Sequence, residues 1–352
     1  MKLINVGIVG TGWCGGIRAE ACADCPQIGE VHIAEVKPER LREVTELVNP
    51  ATATDDYRVL YDNAGIDAVF ISATPEDLHY PMAKEALEAG KHVFLEKPIA
   101  LTLQEADHLV ALSRQKNLKF TIGYSQRFNP KYAYVKKSLE DGTLGKPVSA
   151  LVSRHITRNL GKKISGRIKL SPAAMEATHD LDFILWCLEP AKPIRVYAQN
   201  VYKVMVETAD APDCTWIIVT MDDGTAFTIG AGWILPPGYP NYSATTIEVV
   251  GTEGALLIDD SHRDVILNTM KDGMRLPMST MPGEGVGHVF AGPMASETLH
   301  FVDAVARDRD VLVTPEQARK VMEVYIAADL SAERNEPVTL PLNDATLSSL
   351  QA

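Results

Sequence analysis

Three glycines near the start of the chain have the spacing of a phosphate-binding turn. They follow an apolar run and open a stretch with helical character, in the pattern G-x-G-x-x-G. In such a turn the first glycine permits a tight bend, the second lets the backbone approach a pyrophosphate, and the third lets helix and strand pack closely. The N–H groups at the start of the helix then attract phosphate. We predict cofactor contacts from Gly10, Thr11, Gly12, Trp13, Cys14 and Gly15.

A carboxylate follows at the distance expected for recognition of the adenosine ribose. Glu35 ends the second apolar run, about 20 residues after Gly15. A carboxylate there accepts hydrogen bonds from the ribose hydroxyls and repels a 2′-phosphate, so the pattern favours NAD over NADP. Lys37 lies two residues further on and could turn toward a 2′-phosphate. Use of NADP therefore stays open.

The glycine turn and Glu35 lie within a region of 123 residues in which predicted strands and helices alternate. The apolar runs predict strands over residues 3–9, 29–35, 68–71, 92–95 and 119–123. The intervening helices are predicted over residues 17–25, 38–47, 79–89 and 102–116, the last opening with the capping-box sequence Thr102-Leu103-Gln104-Glu105. This alternation predicts an α/β Rossmann domain with a doubly wound parallel sheet over residues 1–123.

The pattern changes after residue 124 and predicts a second domain over residues 124–352. Runs rich in Val, Ile and Thr, separated by Gly, Pro and Asp, predict strands over residues 150–155, 195–201, 215–220, 225–229 and 245–250. Helices are predicted over residues 178–187, 296–306 and 315–334. Serial strands of this kind favour an α+β domain with a large, mostly antiparallel sheet.

Composition narrows the class of protein. The formal net charge of −12 disfavours nucleic acid as a partner. No run approaches the roughly 20 apolar residues of a membrane span. Five scattered cysteines argue against a disulfide framework, and we predict a cytoplasmic protein. The nine histidines show no H-x-x-x-H spacing, so no metal site is expected.

Further motifs resemble the Gfo/Idh/MocA family, named for glucose–fructose oxidoreductase, inositol dehydrogenase and a rhizopine-catabolism protein. The resemblance covers nearly the whole chain, and the segment Glu96-Lys97-Pro98 after a G-K-H-V strand is its most specific part. Looser matches occur in the second half. The segments that carry the resemblance include Thr74-Pro75 with His79, Gly123-Tyr124 with Arg127, and His179-Asp180-Leu181-Asp182.

The resemblance implies a Rossmann domain followed by a substrate-binding and oligomerisation domain. It implies a substrate pocket between the domains, and an open sheet that often mediates homodimers or homotetramers. Lys97 is then a catalytic or substrate-orienting residue, and His179 is its acid/base partner. The implied reaction moves a hydride between a nicotinamide cofactor and a secondary alcohol or ketone of a polyol, sugar or sugar derivative.

Physical chemistry supports these two roles. Oxidation of an alcohol needs a base for the hydroxyl proton, and histidine suits this because its unperturbed pKa is about 6.5. A lysine helps if its pKa is lowered, or as a cation beside a developing alkoxide. Lys97 follows a buried strand at its carboxyl end, where open α/β sheets place ligands, and Pro98 restricts its backbone.

The remaining candidates extend both sites. Additional cofactor contacts are expected at Thr74, His79 and Glu96. Substrate contacts are expected at Lys97, Tyr124, Arg127, Arg158, His179 and Asp180. Weaker pocket candidates near loops and strand ends are Arg154, His155, Trp233, Tyr239 and His288.

One position departs from the family pattern. Many members carry an aspartate four residues before the active-site histidine, where this chain has Met175. The proton relay could therefore run through Glu176, Asp180 or water, or the chemistry could differ. Two other functions stay open: NAD-assisted glycoside cleavage by transient sugar oxidation, and a non-enzymatic NAD-binding regulator. The basic segment 154–169 indicates an anionic or hydroxyl-rich substrate, or simply an exposed loop.

Overall fold

The chain folds into two units. The computed structural model describes residues 3–241, 243–260, 265–271, 273–275, 283–287 and 289–343. The first unit combines Met1–Asn129 with Thr280–Arg319, and the second combines Pro130–Ser279 with Lys320–Ala352. The division after Asn129 lies six residues beyond the predicted boundary at residue 123. The return of a distant segment to the first unit is not visible in the sequence pattern.

Strands and helices alternate through the first 140 residues. The strands there are β1 (Ile4–Val9), β2 (Ile28–Ala34), β3 (Thr52–Thr54), β4 (Ala68–Ile71), β5 (His92–Leu95) and β6 (Phe120–Ile122). The helices are α1 (Trp13–Ala23), α2 (Pro38–Val48), α3 (Arg58–Asp62), α4 (His79–Glu88), α5 (Leu103–Gln115) and α6 (Pro130–Glu140).

Strands dominate the chain between residues 147 and 291. They are β7 (Pro147–Thr157), β8 (Pro193–Val201), β9 (Cys214–Met221), β10 (Ala226–Leu235), β11 (Ser243–Gly251), β12 (Ala255–Asp259), β13 (Leu267–Thr269), β14 (Gly273–Arg275), β15 (Glu284–Val286) and β16 (Val289–Ala291), with β17 (Val338–Thr339) near the end. The helices are α7 (Arg158–Ser165), α8 (Thr178–Leu188), α9 (Met205–Ala209), α10 (Pro293–Arg307) and α11 (Pro315–Arg334), and a π-helical turn, Ala173–Ala177, precedes α8.

The first unit contains a six-stranded sheet in the order β3-β2-β1-β4-β5-β6, with every pair parallel. All four residues of β4 are buried, as expected for a strand covered on both faces. The predicted doubly wound sheet is confirmed. The capping box at Thr102 is also present, and its side chain accepts a hydrogen bond from the Glu105 N–H.

Helix α10 supplies part of the core of this first unit, although it follows β6 by about 170 residues. The ring of Phe301 lies 5.3 Å from that of Phe70 and 5.8 Å from that of Phe94, measured between centroids. Val302 belongs to the same buried cluster. The sequence predicts this helix from its periodicity, but periodicity does not indicate which sheet a helix covers.

The second unit is built on a seven-stranded sheet in the order β12-β11-β7-β10-β9-β8-β17. Its pairs are antiparallel except for β7 with β10, which is parallel. The predicted mostly antiparallel sheet is confirmed. In the described residues, no helix combines the length and the apolar character needed to cross a bilayer.

The basic segment 154–169 is not an exposed loop, contrary to the simpler of the two expectations. Its first residues complete β7, and the next ones form α7. Leu160 and Ile164 of α7 pack against a buried apolar cluster that includes Met175 and Trp233. The sequence shows the charges of this helix, but not the apolar contacts of its other face.

Candidate functional site

The glycine turn has the geometry that its spacing predicts. Gly10 has φ +78°, and a Cβ there would lie 2.9 Å from the backbone of Ala73. A Cβ on Gly15 would lie 1.9 Å from the carbonyl oxygen of Gly10. A Cβ on Gly12 would meet nothing within 4 Å. Two glycines therefore shape the turn, and the third leaves its outer side open to a ligand.

The start of α1 suits a phosphate group. Gly12 is the N-cap residue, and no side chain accepts a hydrogen bond there. Helix N-termini present N–H groups and the positive end of the helix dipole, which favour anions. The open side at Gly12 and the absence of a side-chain cap fit the pyrophosphate of a dinucleotide.

Glu35 lies at the end of β2 and is connected to the glycine turn. Its Oε2 accepts hydrogen bonds from the backbone N–H of Thr11 at 2.7 Å and from the Thr11 hydroxyl at 3.0 Å. Its Oε1 accepts the backbone N–H of Lys37 at 3.0 Å. These three donors fix the buried carboxylate at the position expected for ribose recognition. The side chain of Lys37 is exposed.

Glu96 holds the segment before Lys97 through a buried arginine of α1. Arg18 Nε donates to Glu96 Oε1 at 3.1 Å, and Arg18 Nη2 lies 3.0 Å from Glu297 Oε2. The Thr298 hydroxyl accepts a further hydrogen bond from Nη1 at 2.9 Å. Burial alone would lower the pKa of Arg18, but the two carboxylates outweigh it and raise that pKa. The arginine therefore stays charged.

His79 holds the other side of the same segment. Its Nδ1 lies 2.7 Å from the carbonyl oxygen of Pro98, and its Nε2 lies 3.1 Å from that of Ala73. Burial lowers the pKa of His79, although the two carbonyls act in the opposite direction. His79 thereby joins the loops that follow β4 and β5. Both ring nitrogens of His79 therefore contact the protein backbone.

The half-buried Lys97 lies close to the glycine turn. The charges of Glu96 and Lys97 both act on the thiol of Cys14, inside that turn. Burial, followed by the charge of Glu96, raises the pKa of Cys14 to about 12, so this thiol stays protonated. Trp13 and Thr74 are exposed at the same edge of the sheet.

The other substrate candidates of the first unit are buried. Arg127 donates from Nη1 to the carbonyl oxygen of Leu312 at 3.0 Å and to Gln317 Oε1 at 2.8 Å. Tyr124 is 2% exposed. Arg127 therefore connects the end of the Rossmann segment to the returning segment, a structural role that the sequence does not show.

In the second unit, a buried ion pair lies beside His179. Arg154 of β7 donates from Nε to Asp180 Oδ2 at 2.6 Å and from Nη2 to Asp180 Oδ1 at 2.8 Å. Both side chains are almost completely buried. Asp180 is therefore bound in a bidentate ion pair, although the sequence predicts it as a substrate ligand. The imidazole of His179 is half-buried at the start of α8.

The position that departs from the family pattern is part of an apolar core. Met175 is 3% exposed and packs with Ile156, Met205 and Trp233. The next residue, Glu176, accepts a hydrogen bond from Trp233 Nε1 at 3.1 Å. The carboxylate nearest to His179 on its amino-terminal side is thus at position 176 and not at 175.

The remaining pocket candidates have different surroundings. Burial lowers the pKa of His155 to about 4, although Asp180 acts in the opposite direction. Arg158 is half-buried at the first position of α7. Trp233 is completely buried, and Tyr239 is half-buried. His288 lies outside the described residues.

Comparison with protein families identifies the fold and its cofactor. Residues 4–124 match the model of the oxidoreductase family with an NAD-binding Rossmann fold, GFO/IDH/MocA. Residues 132–257 match the GFO/IDH/MocA C-terminal domain. The chain belongs to the GFO/IDH/MocA family. It is an NAD-dependent oxidoreductase, and the predictions of the family, the enzyme class and the cofactor are confirmed.

Individual relatives span most of the chain. A scyllo-inositol 2-dehydrogenase (NAD(+)) of Bacillus subtilis is 28% identical, over 83% of this chain and 82% of the relative. A UDP-N-acetylglucosamine 3-dehydrogenase of Acidithiobacillus ferrooxidans is 25% identical, over 94% and 97%. The crystal structure of scyllo-inositol dehydrogenase from Lactobacillus casei, with bound NAD(H) and scyllo-inositol, matches with a TM-score of 0.82 at 26% identity. That match covers 96% of this chain and 99% of the other.

Sequence reasoning misses Arg18 and Glu297, and it names Trp233 only as a pocket candidate. Arg18 and Glu297 lie far apart in the chain, and nothing in their neighbourhoods indicates that they meet at Glu96. The sequence does not distinguish Trp233 from the other aromatic candidates. Its role becomes visible only in the structure, where its indole N–H donates a hydrogen bond to Glu176. The signal that could have indicated Arg18 is an arginine among the small and apolar residues of the first helix, because a charged side chain is almost never fully buried unless it is paired.

Proposed function

We propose that this enzyme oxidises a ring hydroxyl of a cyclic polyol or sugar, with NAD as the cofactor. The observation that carries the proposal is the position of Lys97. It lies at the carboxyl end of β5, is near the glycine turn, and is held on both sides by Glu96 and His79. Relatives named for inositol and for a nucleotide sugar support this substrate class.

The proposed chemistry divides between two residues. When bound, NAD supplies the hydride acceptor. His179 takes the hydroxyl proton, because histidine is the side chain most often used as a general base. Lys97 orients the hydroxyl and stabilises the developing negative charge on its oxygen. Glu35 binds the adenosine ribose of the cofactor, and the start of α1 binds its pyrophosphate.

In our proposal, three buried residues have a structural role at this site: His79, Arg127 and Asp180. Each is buried and contacts protein groups: backbone carbonyls for His79 and Arg127, and a guanidinium for Asp180. They act by holding neighbouring residues in place rather than by binding NAD or substrate.

The decisive experiment is a substrate screen with a matched pair of lysine variants. Wild-type protein is mixed with NAD and a panel of inositols, sugars and hydroxy acids, and NADH absorbance is followed. Lys97→Ala should lower kcat by about 10²–10⁴-fold with NAD affinity retained. Lys84→Ala is the control, because Lys84 pairs with Glu88 on the surface of α4.

The screen also tests the two other functions. NAD that survives purification, together with cleavage of a nitrophenyl glycoside without net change in NADH, would favour glycoside cleavage instead. NAD binding without turnover of any substrate would favour a regulator. Loss of turnover in a Lys97→Ala variant that still binds NAD eliminates the regulator.

We also propose that the chain forms a homodimer or homotetramer through the outer face of the seven-stranded sheet. One row across this face contains Leu257, Glu248, Leu151, Thr228, Ile218 and Tyr197, and its four apolar members are between 39% and 68% exposed. Exposed apolar side chains grouped on one face support a role in protein–protein contact. Light scattering of the wild type should give an oligomer, and Ile218→Lys should give a smaller species. A monomeric wild type would contradict the proposal.

We propose, in addition, that the protein is located in the cytoplasm. All five cysteines are free thiols, and four of them are buried. Proteins of a reducing compartment usually keep their cysteines as free thiols and do not form disulfides. Cell fractionation should recover the protein with the cytoplasm, and recovery from an oxidising compartment would contradict this location.

A further inference from the structure

Thr11, inside the glycine turn, is held by charged side chains at both of its peptide groups. Its N–H and its hydroxyl donate to the carboxylate of Glu35, as described above. Its carbonyl oxygen accepts a hydrogen bond of 2.6 Å from Nε of Arg40, a residue in the first turn of α2. Thr11 itself is fully buried. A carboxylate and a guanidinium therefore fix the backbone on the two sides of the Thr11 Cα.

The contact with Arg40 also determines the direction of the next N–H group. The peptide bond between Thr11 and Gly12 is trans, and in a trans peptide the C=O and the N–H point in opposite directions. Because the Thr11 carbonyl points at Arg40, the Gly12 N–H points away from it. In the part of the chain that the structure describes, this N–H has no protein acceptor. It is thus one of the free donors at the start of α1.

Gly16 leaves the space that the guanidinium of Arg40 occupies. This glycine follows Gly15 and is not part of the G-x-G-x-x-G pattern. A Cβ at position 16 would lie 2.4 Å from Nη2 of Arg40, and the next nearest atom, the carbonyl oxygen of Thr11, would be 3.6 Å away. The guanidinium therefore packs against the first turn of α1, and an alanine at position 16 would displace it. Its Nη1 forms an ion pair of 2.8 Å with the exposed Glu43.

We propose that Arg40 is a positioning residue for the pyrophosphate of NAD and that it acts through the backbone of Thr11. By holding the Thr11 carbonyl, it keeps the Gly12 N–H turned away from α2 and available to phosphate before the cofactor binds, which lowers the cost of ordering the turn. This rests on the function proposed above, in which the start of α1 binds the pyrophosphate. The competing explanation is direct attraction between the guanidinium and the phosphates, although Glu43 offsets part of that charge.

The first test compares two ligands in Arg40→Met. Binding of NAD and of adenosine, which has the ribose but no phosphate, is followed by tryptophan fluorescence and by calorimetry. The Kd of NAD should rise about tenfold, which corresponds to the loss of one hydrogen bond to a charged group. The Kd of adenosine should change little, because Glu35 keeps its three donors. Arg42→Met, at an exposed position of the same helix, is the control.

Two results of this comparison would overturn the proposal. One is an unchanged Kd of NAD in Arg40→Met. The other is an equal loss of affinity for NAD and for adenosine, together with a lower unfolding temperature of the ligand-free variant, because a merely structural role of Arg40 would damage the whole turn and not its phosphate donors alone.

Arg40→Lys separates positioning from direct attraction. Lysine keeps the charge but has no N–H at the place of Nε, and it does not reproduce the planar guanidinium. We expect the affinity of Arg40→Lys for NAD to stay close to that of Arg40→Met, and the ratio between wild type and variant to stay constant between about 0.05 and 0.5 M salt. Full recovery in Arg40→Lys, or a difference that disappears at high salt, would overturn the proposal in favour of direct attraction.

Gly16→Ala tests the same contact without changing Arg40. The added methyl group meets Nη2 and should displace the guanidinium, so NAD binding should weaken as it does in Arg40→Met. In the double variant Gly16→Ala/Arg40→Met the loss should be no larger than in Arg40→Met alone, because both changes remove one contact. Additive losses would overturn the proposal. If Arg40→Met does not fold, Gly16→Ala alone decides, and an unchanged Kd of NAD would again overturn it.

These measurements need no substrate, so the two proposals fail separately. An enzyme that oxidises none of the tested polyols but loses affinity for NAD in the Arg40 variants would refute the proposed substrate class and leave the role of Arg40 intact. An active enzyme with the same affinity for NAD in wild type and variants would do the reverse.

Discussion

Each unit of this enzyme contains a buried arginine that pairs with a carboxylate directly beside a candidate catalytic residue. In the first unit, Arg18 pairs with Glu96, which precedes Lys97. In the second unit, Arg154 pairs with Asp180, which follows His179. Both pairs hold the backbone next to the candidate residue, because the carboxylate cannot move without leaving a charge unpaired in a buried place.

The two pairs differ in how far along the chain their members lie. Arg154 and Asp180 are 26 residues apart and meet through one strand and the next long helix. Arg18 meets Glu96, Glu297 and Thr298 across 78 to 280 residues, and these partners lie in the segment after β5 and in α10. Glu96 also retains some exposure, whereas Asp180 has none. We therefore expect the second pair to matter more for stability and the first to matter more for assembly of the site.

The largest effect is expected on breaking the pair in the second unit. Arg154→Met leaves the Asp180 carboxylate buried without its guanidinium, which should lower the free energy of unfolding by about 3–5 kcal/mol. Urea unfolding followed by tryptophan fluorescence measures it. In the double variant Arg154→Met/Asp180→Leu the unpaired charge is gone, and much of the loss should be recovered. A single variant as stable as the wild type would show that the pair contributes no constraint.

A smaller effect on stability, about 2–3 kcal/mol, is expected for Arg18→Met. Water can reach Glu96, which is 15% exposed, when the arginine is removed, although the buried Glu297 loses its partner as well. Turnover should fall more than stability suggests, since Glu96 and Glu297 then repel each other beside Lys97. Steady-state kinetics at a temperature where both proteins are folded separates the two effects. Unchanged kcat in a folded Arg18→Met variant would mean that Glu96 does not hold Lys97 in place.

The next effect is a dependence of stability on pH, expected from a buried histidine of the second unit. Burial lowers the pKa of His155 in the second unit to about 4, below its value of about 6.5 in an unfolded chain. Between these values the unfolded state binds more protons, so the stabilising effect is present above pH 6.5 and is lost as the pH falls toward 4. We expect a loss of about 1–2 kcal/mol over this window that is reduced in His155→Gln. Parallel stability–pH curves for the two proteins would contradict it.

The smallest effect concerns the hydroxyl of Thr298. Thr298→Val removes one hydrogen bond to Arg18 and keeps the shape of the side chain, so the cost should be about 0.5–1.5 kcal/mol. Thermal unfolding measures it. A larger cost than that of Arg18→Met would mean that the hydroxyl, and not the ion pairs, holds the arginine.

Local patterns were sufficient for much of the fold and for the cofactor site. The strands β4 and β5 occur at the predicted residues, because an apolar run bounded by polar residues has few alternatives. Gly10, Gly12 and Gly15 have the predicted roles, since each depends on backbone sterics within one turn. In both places the interactions that determine the structure involve residues close together in the chain, so the sequence is sufficient to predict them.

The supporting contacts could not be predicted for the opposite reason. Whether Arg18 is solvated or buried depends on α10, almost 280 residues away. The roles of Met175 and Glu176 depend on a π-helical turn that shifts the helical register by one residue, and on an indole N–H from a different strand. Sequence periodicity assumes a regular helix and cannot show such a shift.

Helix α10 also determines when the first unit can form during protein synthesis. Phe301 and Val302 complete the core around Phe70 and Phe94, and Glu297 completes the shell of Arg18. These residues leave the ribosome only after most of the chain has been made, whereas domains usually fold in order from the amino terminus. A nascent chain of about 130 residues therefore carries the whole parallel sheet while the part of its apolar core that Phe301 and Val302 cover is still exposed, and this raises its risk of aggregation until α10 has been made.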